Sequence, residues 1–240
     1  MRLAQILFSQ GFGSRRLCAG LIADGRVAVA GQVVHDPGAE FDTDGLVFEV
    51  EGRAWPFHAK ALVLLHKPAG FECSQKPRHH PSVMSLLPPP LRDRGVQPVG
   101  RLDEDTTGVL LLTDDGALIH RLTSPRHHVP KVYEVTLRHP VDEPQLQRLR
   151  AGVVLDDSPE PVRALAALAT GDHALRLTLS EGKYHQVKRM LAAVGNRVDA
   201  LHRSAFGALT LPLGLAEGQW TWADPAQLWP TTEGPDPPPR

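Results

Sequence analysis

Gly100-Arg101-Leu102-Asp103-Glu104-Asp105-Thr106-Thr107-Gly108 runs directly into Val109-Leu110-Leu111-Leu112, and the rest of the chain is read outward from this passage. Four consecutive apolar residues closed by Asp114-Asp115-Gly116 describe a short, fully buried strand ending in a turn. Ahead of it stand three carboxylates and two hydroxyls between glycines, the composition of a shaped loop beside that strand. By themselves these residues admit three readings. Asp103 and Asp105 form an Asp-x-Asp pair of the kind that holds Mg²⁺. A carboxylate of the loop is a nucleophile or an acid–base group. Or the loop is a surface turn in which Asp and Thr cap the backbone.

Downstream, residues 117–122 read as a short helix. Residues 131–137 alternate, with Tyr133, Val135 and Leu137 on one face of a strand. Residues 144–151 are expected as a helix, and 162–169 and 174–179 as strands. Residues 184–194 form an amphipathic helix, with Val187, Leu191 and Val194 on one stripe and Gly195-Asn196 as its stop. Residues 198–211 are strand-rich. Upstream, 61–65 is an apolar strand ending in the loop His66-Lys67-Pro68-Ala69-Gly70, and Pro88-Pro89-Pro90 is a connector.

The front of the chain reads differently. Leu3, Ile6, Leu7 and Phe8 cluster on a short helix broken by Gly11 and Gly13. Ser14 is placed to cap a second helix that carries Leu17, Cys18, Leu21 and Ile22 and ends at Asp24-Gly25. Residues 26–29 then alternate as a strand, turn at 30–32, and continue into Val33-Val34; residues 41–50 supply another strand or two. Residues 51–58 are a linker or edge. Two domains are therefore expected, 1–57 and 58–230, followed by a disordered Pro-rich tail at 231–240.

Composition narrows the function. With 240 residues, 42% hydrophobic and 22% charged, the chain is long enough to bury a core without disulfides or metal. Its two cysteines, Cys18 and Cys73, have no pairing or metal spacing and fit a reducing, cytoplasmic interior. No signal peptide or membrane span is expected. The net charge is −1, so a nucleic-acid partner requires locally sorted charge, and the charge is sorted. Residues 1–34 carry Arg2, Arg15, Arg16 and Arg26 against Asp24 alone. Residues 118–138 carry Arg121, Arg126, Lys131 and Arg138 against Glu134, with His120, His127 and His128. Residues 182–203 carry Lys183, Lys188, Arg189, Arg197 and Arg203 against Asp199. Arg15 and Arg16 fall in the first turn of a helix, where cations oppose the helix dipole by about 0.3–1 kcal/mol each; phosphate from a partner offsets that. RNA suits this distribution better than a membrane surface does.

Several segments together carry a resemblance. Arg2-Leu3, Gly11 to Arg16, Leu21-Ile22, Gly25-Arg26-Val27, Gly31 and Val33-Val34 resemble an S4 RNA-binding domain, with Ala4 standing where an aspartate is often found. His66-Lys67-Pro68-Ala69-Gly70, the run Gly100 to Gly116, Lys131-Val132-Tyr133, Glu181 to Met190, Gly195-Asn196 and Leu201-His202-Arg203 resemble the RsuA family of pseudouridine synthases. The resemblance spans about residues 1–225 and implies an α+β protein: a small S4-type α/β domain, then a synthase domain on a mixed, mostly antiparallel sheet with flanking helices. It implies isomerisation of a uridine in rRNA, without metal or cofactor, on a base flipped out of its stack.

The resemblance also assigns roles. Asp103 is the implied nucleophile, Lys188 its cation, with Arg189 as the alternative, and Tyr133 the aromatic that stacks on uracil or moves a proton. Arg2, Arg15, Arg16, Arg26, Lys67, Arg101, Arg126, Lys131, His185, Arg189 and Arg203 are the expected RNA contacts. Asp105, Thr106 and Thr107 are expected to shape the loop, and Cys73 to be inert. Large-subunit members tend to read Asn-Arg-Gln-Ile/Val-Arg-Arg-Met in the last motif. Tyr184-His185-Gln186-Val187-Lys188-Arg189-Met190, with Ser124-Pro125-Arg126-His127-His128 ahead of Lys131, resembles instead the members acting on small-subunit 16S rRNA, with uridine 516 the implied target. The alternatives are the same reaction on 23S rRNA and a non-catalytic S4-bearing assembly factor; a monomer is expected.

Overall fold

Ser14 begins the second helix as its residue type requires: its hydroxyl accepts the Leu17 N–H at 3.2 Å and caps α2 (Arg15–Ala23). The computed structural model describes residues 1–124, 129–156 and 158–229; Arg126, His127, His128 and the tail 231–240 lie outside them. Helix α1 (Leu3–Ser9) buries Leu3, Ile6 and Leu7 against Cys18 and Ile22 of α2. Gly11, at φ +86°, follows α1, and a Cβ there would lie 2.0 Å from the Pro90 carbonyl oxygen, so only glycine lets this turn approach the second half of the chain. Strands β1 (Val27–Val29), β2 (Gln32–Val33), β3 (Val47–Val50) and β4 (Arg53–Pro56) form an antiparallel sheet in the order β2-β1-β3-β4. The segment 51–58, read as linker or edge, supplies the edge strand.

The large sheet carries the site. It comprises β5 (Leu62–Lys67), β6 (Gln97–Pro98), β7 (Thr107–Thr113), β8 (Lys131–Leu137), β11 (Ala166–Gly171), β12 (Ala174–Leu179), β13 (Val198–Phe206), β14 (Leu209–Thr210) and β15 (Trp220–Trp222). Its order is β11-β12-β8-β13-β7-β5-β15, and among the described residues only its β13–β7 pair is parallel. β9 (Val153–Leu155) and β10 (Ser158–Val162) form a separate hairpin, so the stretch read as one strand over 162–169 is the end of β10 and the start of β11. Helices α3 (Pro89–Asp93), α4 (Gly116–Thr123), α5 (Glu143–Ala151) and α6 (Gln186–Ala193) complete an α+β fold. α5 and α6 share one core with Leu65, Leu110, Tyr133, Val135, Leu177 and Leu201. Leu122 of α4 shares a second core with Leu62, Leu64, Val109 and Leu111 on the opposite face. β5 and β7 are thus buried on both faces, which accounts for their unbroken apolar runs.

The two sheets are fastened through Arg94. Its Nε donates to Asp114 at 2.7 Å, Nη1 to Gln10 Oε1 at 2.8 Å and Nη2 to the His58 carbonyl at 2.9 Å. Trp55 of β4 packs edge-on against Trp222 of β15, with centroids 5.4 Å apart.

Candidate active site

The loop ahead of β7 is held in place by groups that its own sequence does not contain. Gly108, at φ +108°, lies beside β13, and a Cβ there would sit 2.2 Å from the Arg203 carbonyl oxygen. Lys67, at the end of β5, is wholly buried and donates to the carbonyls of Pro68 at 3.0 Å, Glu104 at 3.1 Å and Thr106 at 2.8 Å. The Gly70 N–H adds a bond to Glu104 O at 2.8 Å, and the Leu102 N–H one to Cys73 Sγ at 3.4 Å. Burial lowers the Lys67 pKa and raises that of the Cys73 thiol, which keeps Cys73 protonated and unreactive.

So held, Asp103 turns a partly exposed carboxylate into a narrow pocket of about 70 Å³ lined by Leu102, Thr106, Tyr133, Leu179, Leu201 and Lys188, among others. Lys188 Nζ lies 3.4 Å from Asp103 Oδ2, and His185 Nε2 lies 3.3 Å from Oδ1. Lys188 also donates to both oxygens of Asp105, at 2.7 and 2.8 Å. An ammonium therefore sits between Asp103 and Asp105, where the Asp-x-Asp reading would put a metal ion. Burial works against the charge on Lys188, but the hydrogen bond to Asp105 and the fields of both aspartates outweigh it and raise its pKa. Arg189, the other candidate cation, donates Nη1 to the Tyr184 carbonyl at 3.1 Å. Tyr133 points from β8 into the same pocket, 8% exposed.

Helix α6 starts at Gln186, two residues later than its amphipathic pattern implied, because His185 adopts a left-handed conformation at φ 47°, ψ 33°. This turn aims His185 at Asp103. Gln186 braces it: buried, it accepts the Lys183 N–H at 2.7 Å and donates to Glu181 at 3.1 Å. Sequence reasoning missed Gln186 and Glu181 as parts of the pocket wall. The available signal was a glutamine four residues before Met190, on the buried face of the helix.

The basic residues divide. Arg2, Arg15, Arg16, Arg26 and Arg101 are exposed, and His185 and Arg189 are half-buried. Arg15 lies over the Phe8 ring, 5.1 Å from its centroid, and Arg26 pairs with Glu51. Three expected RNA contacts are instead internal. Lys67 is consumed by loop carbonyls. Arg203, 2% exposed, donates Nε to Val109 O at 2.8 Å. Lys131, 8% exposed, lies over the Phe206 ring, and burial with the nearby Arg203 charge pushes its pKa down to about 8.

Comparison with known proteins places this geometry. Residues 61–193 match RNA pseudouridylate synthase, and residues 1–44 match the S4 domain. The chain belongs to the RNA pseudouridylate synthase family. It is 39% identical over 220 residues to ribosomal small subunit pseudouridine synthase A of Salmonella typhimurium, covering 92% of this chain and 95% of that one. The Escherichia coli K12 protein of the same name is 38% identical over the same shares. An uncharacterized RNA pseudouridine synthase of Bacillus subtilis is 36% identical, covering 92% of this chain and 93% of that one. A solved pseudouridylate synthase superposes with a TM-score of 0.67 at 33% identity, over 95% of this chain and 98% of that one. Among the described residues of this pseudouridine synthase, no helix is long and apolar enough to cross a membrane, and no three His, Cys, Asp or Glu side chains are grouped to hold a metal ion.

Proposed function

We propose that this pseudouridine synthase isomerises one uridine of small-subunit 16S rRNA, uridine 516, with Asp103 as nucleophile. The observation that carries the reading is the Asp103 carboxylate, 3.4 Å from the Lys188 ammonium, in a pocket shared with Tyr133 and floored by Leu102 and Leu201. The similarity over nine-tenths of the chain to enzymes named for the small ribosomal subunit supports the choice of rRNA.

The reaction breaks the N1–C1′ bond, turns the uracil and joins C5 to C1′. C5 gives up its proton and N1 gains one, so atoms and charge balance without an oxidant or reductant. Asp103 forms a covalent bond to the extruded nucleoside and is released at the end, and it attacks as the anion. Lys188 aims that anion and holds its charge while water is displaced from the pocket. Tyr133 covers one face of the uracil and offers a hydroxyl to relay a proton. Extrusion of the uridine from its helix or loop precedes all of this.

Residues 1–57 act as the RNA reader and 58–230 as the catalytic unit. The exposed Arg15 and Arg16 at the start of α2 bind backbone phosphate, which favours a helix N-terminus. The enzyme works in the cytoplasm, where its substrate is made. The test is pseudouridine mapping of total rRNA with and without the gene. Loss of the mark at 16S uridine 516 alone is expected. A mark lost from 23S rRNA instead would overturn the target, and no lost mark would leave an RNA binder.

A further inference from the structure

Tyr184 breaks the usual pattern of aromatic burial. It is 71% exposed, yet its ring is not adrift: it stacks on the His185 imidazole, with centroids 3.8 Å apart and planes 19° from parallel. His185 in turn holds an uncommon left-handed backbone for a side-chain-bearing residue and reaches Asp103. Arg189 binds the Tyr184 carbonyl, and Gln186 binds the Lys183 N–H, so the backbone on both sides of the ring is tied down. Strain and fixation around an exposed ring are features of a surface built for a partner.

The surroundings identify that partner. Tyr184 and His185 line a cavity of about 960 Å³ that shares Asp103 and Lys188 with the narrow inner pocket. On the uridine-isomerising reading the inner pocket receives the target base, and the outer cavity, more than ten times larger, leaves room for neighbouring nucleotides. Its other walls carry Arg78, His79, His80, Arg101 and Lys183, which can meet phosphate, beside the carboxylates of Glu72, Glu104 and Asp105, of which Glu72 is taken up by backbone N–H groups and Asp105 by Lys188. The 78–80 segment is itself fixed, because the Glu72 carboxylate accepts the backbone N–H groups of Arg78, His79 and His80 at 2.9–3.1 Å. A flat exposed ring in a cavity that also carries cations, beside the pocket proposed to receive the extruded uridine, matches unpaired single-stranded RNA, in which bases stack on aromatics and phosphates meet cations.

We infer that Tyr184, backed by His185, is a stacking platform for an unpaired base adjacent to the target uridine, and so a substrate-binding residue that positions the RNA for Asp103. The inference rests on the uridine-isomerising reading of the Asp103 pocket for its location.

The test uses the full-length protein and a 16S rRNA fragment spanning uridine 516, with fluorescent 2-aminopurine placed on one side of that uridine or the other. The wild type quenches one of the two probes on binding. Tyr184→Phe keeps the quench and the KM. Tyr184→Ala abolishes the quench and raises KM about 10–100-fold, the loss of one base stack, while kcat at saturating RNA stays within about threefold. Thermal unfolding checks that the exposed substitution leaves the fold intact. Quenching of neither probe, or an unchanged KM in Tyr184→Ala, overturns the inference. So does a fall in kcat with a shifted pH profile at unchanged KM, which would mean that the ring only steadies His185. If the wild type quenches the probe in a Tyr184-dependent way but forms no pseudouridine, the catalytic reading fails and the platform stands.

Discussion

Replacing Lys188 with methionine removes the ammonium that lies 3.4 Å from Asp103 while keeping most of the side-chain volume. At that separation the attraction is about 5 kcal/mol at an effective dielectric of ~20, and about 1 kcal/mol in bulk water. The two side chains are 28% and 25% exposed, so the site lies between those limits. Asp105 takes part of the same cation at 2.7 Å, which reduces the share that acts on Asp103. Attack consumes the carboxylate charge, so the full attraction does not reach the transition state. The share assigned to the ammonium is the part that aims the anion and offsets its desolvation, about 2–3 kcal/mol, a fall in kcat of roughly 30–150-fold. Lys188→Arg keeps a cation and should retain most activity. Asp105→Ala leaves the whole ammonium to Asp103 and should spare kcat. The assay is tritium release from C5-labelled uridine in RNA, since joining C5 to C1′ expels that hydrogen. KM should move little, because Lys188 acts on the carboxylate rather than on bound RNA. A Lys188→Met enzyme with kcat within twofold of wild type would refute the reasoning.

Other consequences follow from single contacts. Arg94→Met leaves the nearly buried Asp114 without its ion pair, so unfolding free energy should fall by about 3–5 kcal/mol, read as a drop of roughly 6–20 °C in thermal unfolding; an unchanged midpoint would show that the joint between the sheets is not held there. Charge reversal at Arg15 and Arg16 should weaken RNA binding and flatten its salt dependence by about 0.7–0.9 log units of slope per lost phosphate contact; an unaltered slope would remove these residues from the interface. Lys131 has a folded pKa of about 8, below its ordinary 10.5, so the unfolded chain binds the extra proton between those values and stability rises as pH climbs through that window. Lys131→Met should therefore unfold at higher temperature than wild type at pH 7, with the difference shrinking toward pH 10.5; a variant less stable at pH 7 would contradict the burial argument.

The sequence was most legible where local chemistry decides. Ser14 reads as a cap from its type and position, and the period-two pattern at 131–137 turns Tyr133 inward without help from elsewhere. The same alternation already placed Lys131 on Tyr133's face, and Arg203 shares a face with Leu201. Their burial follows from that pattern, whereas their positive charge, taken alone, points toward RNA. Lys67 was harder. Its strand is buried on both faces, yet nothing in His66-Lys67-Pro68 says that the ammonium will satisfy carbonyls of a loop almost forty residues away. The pairing of Lys188 with Asp105 as well as Asp103 is likewise a product of tertiary packing, because α6 and the 100–108 loop are adjacent only in the folded chain. Strands β9 and β15 span three residues each, too few for a period to declare a strand, so their pairing came from the fold and not from local pattern.

The most direct measurement of the central claim is turnover by Asp103→Asn on C5-tritiated RNA, alongside binding of the same RNA. Asparagine keeps the shape of the side chain and loses the anion. The variant is expected to bind RNA with a Kd within a few-fold of wild type and to release no tritium above background. Tritium release at the wild-type rate would show that some other group attacks the nucleoside.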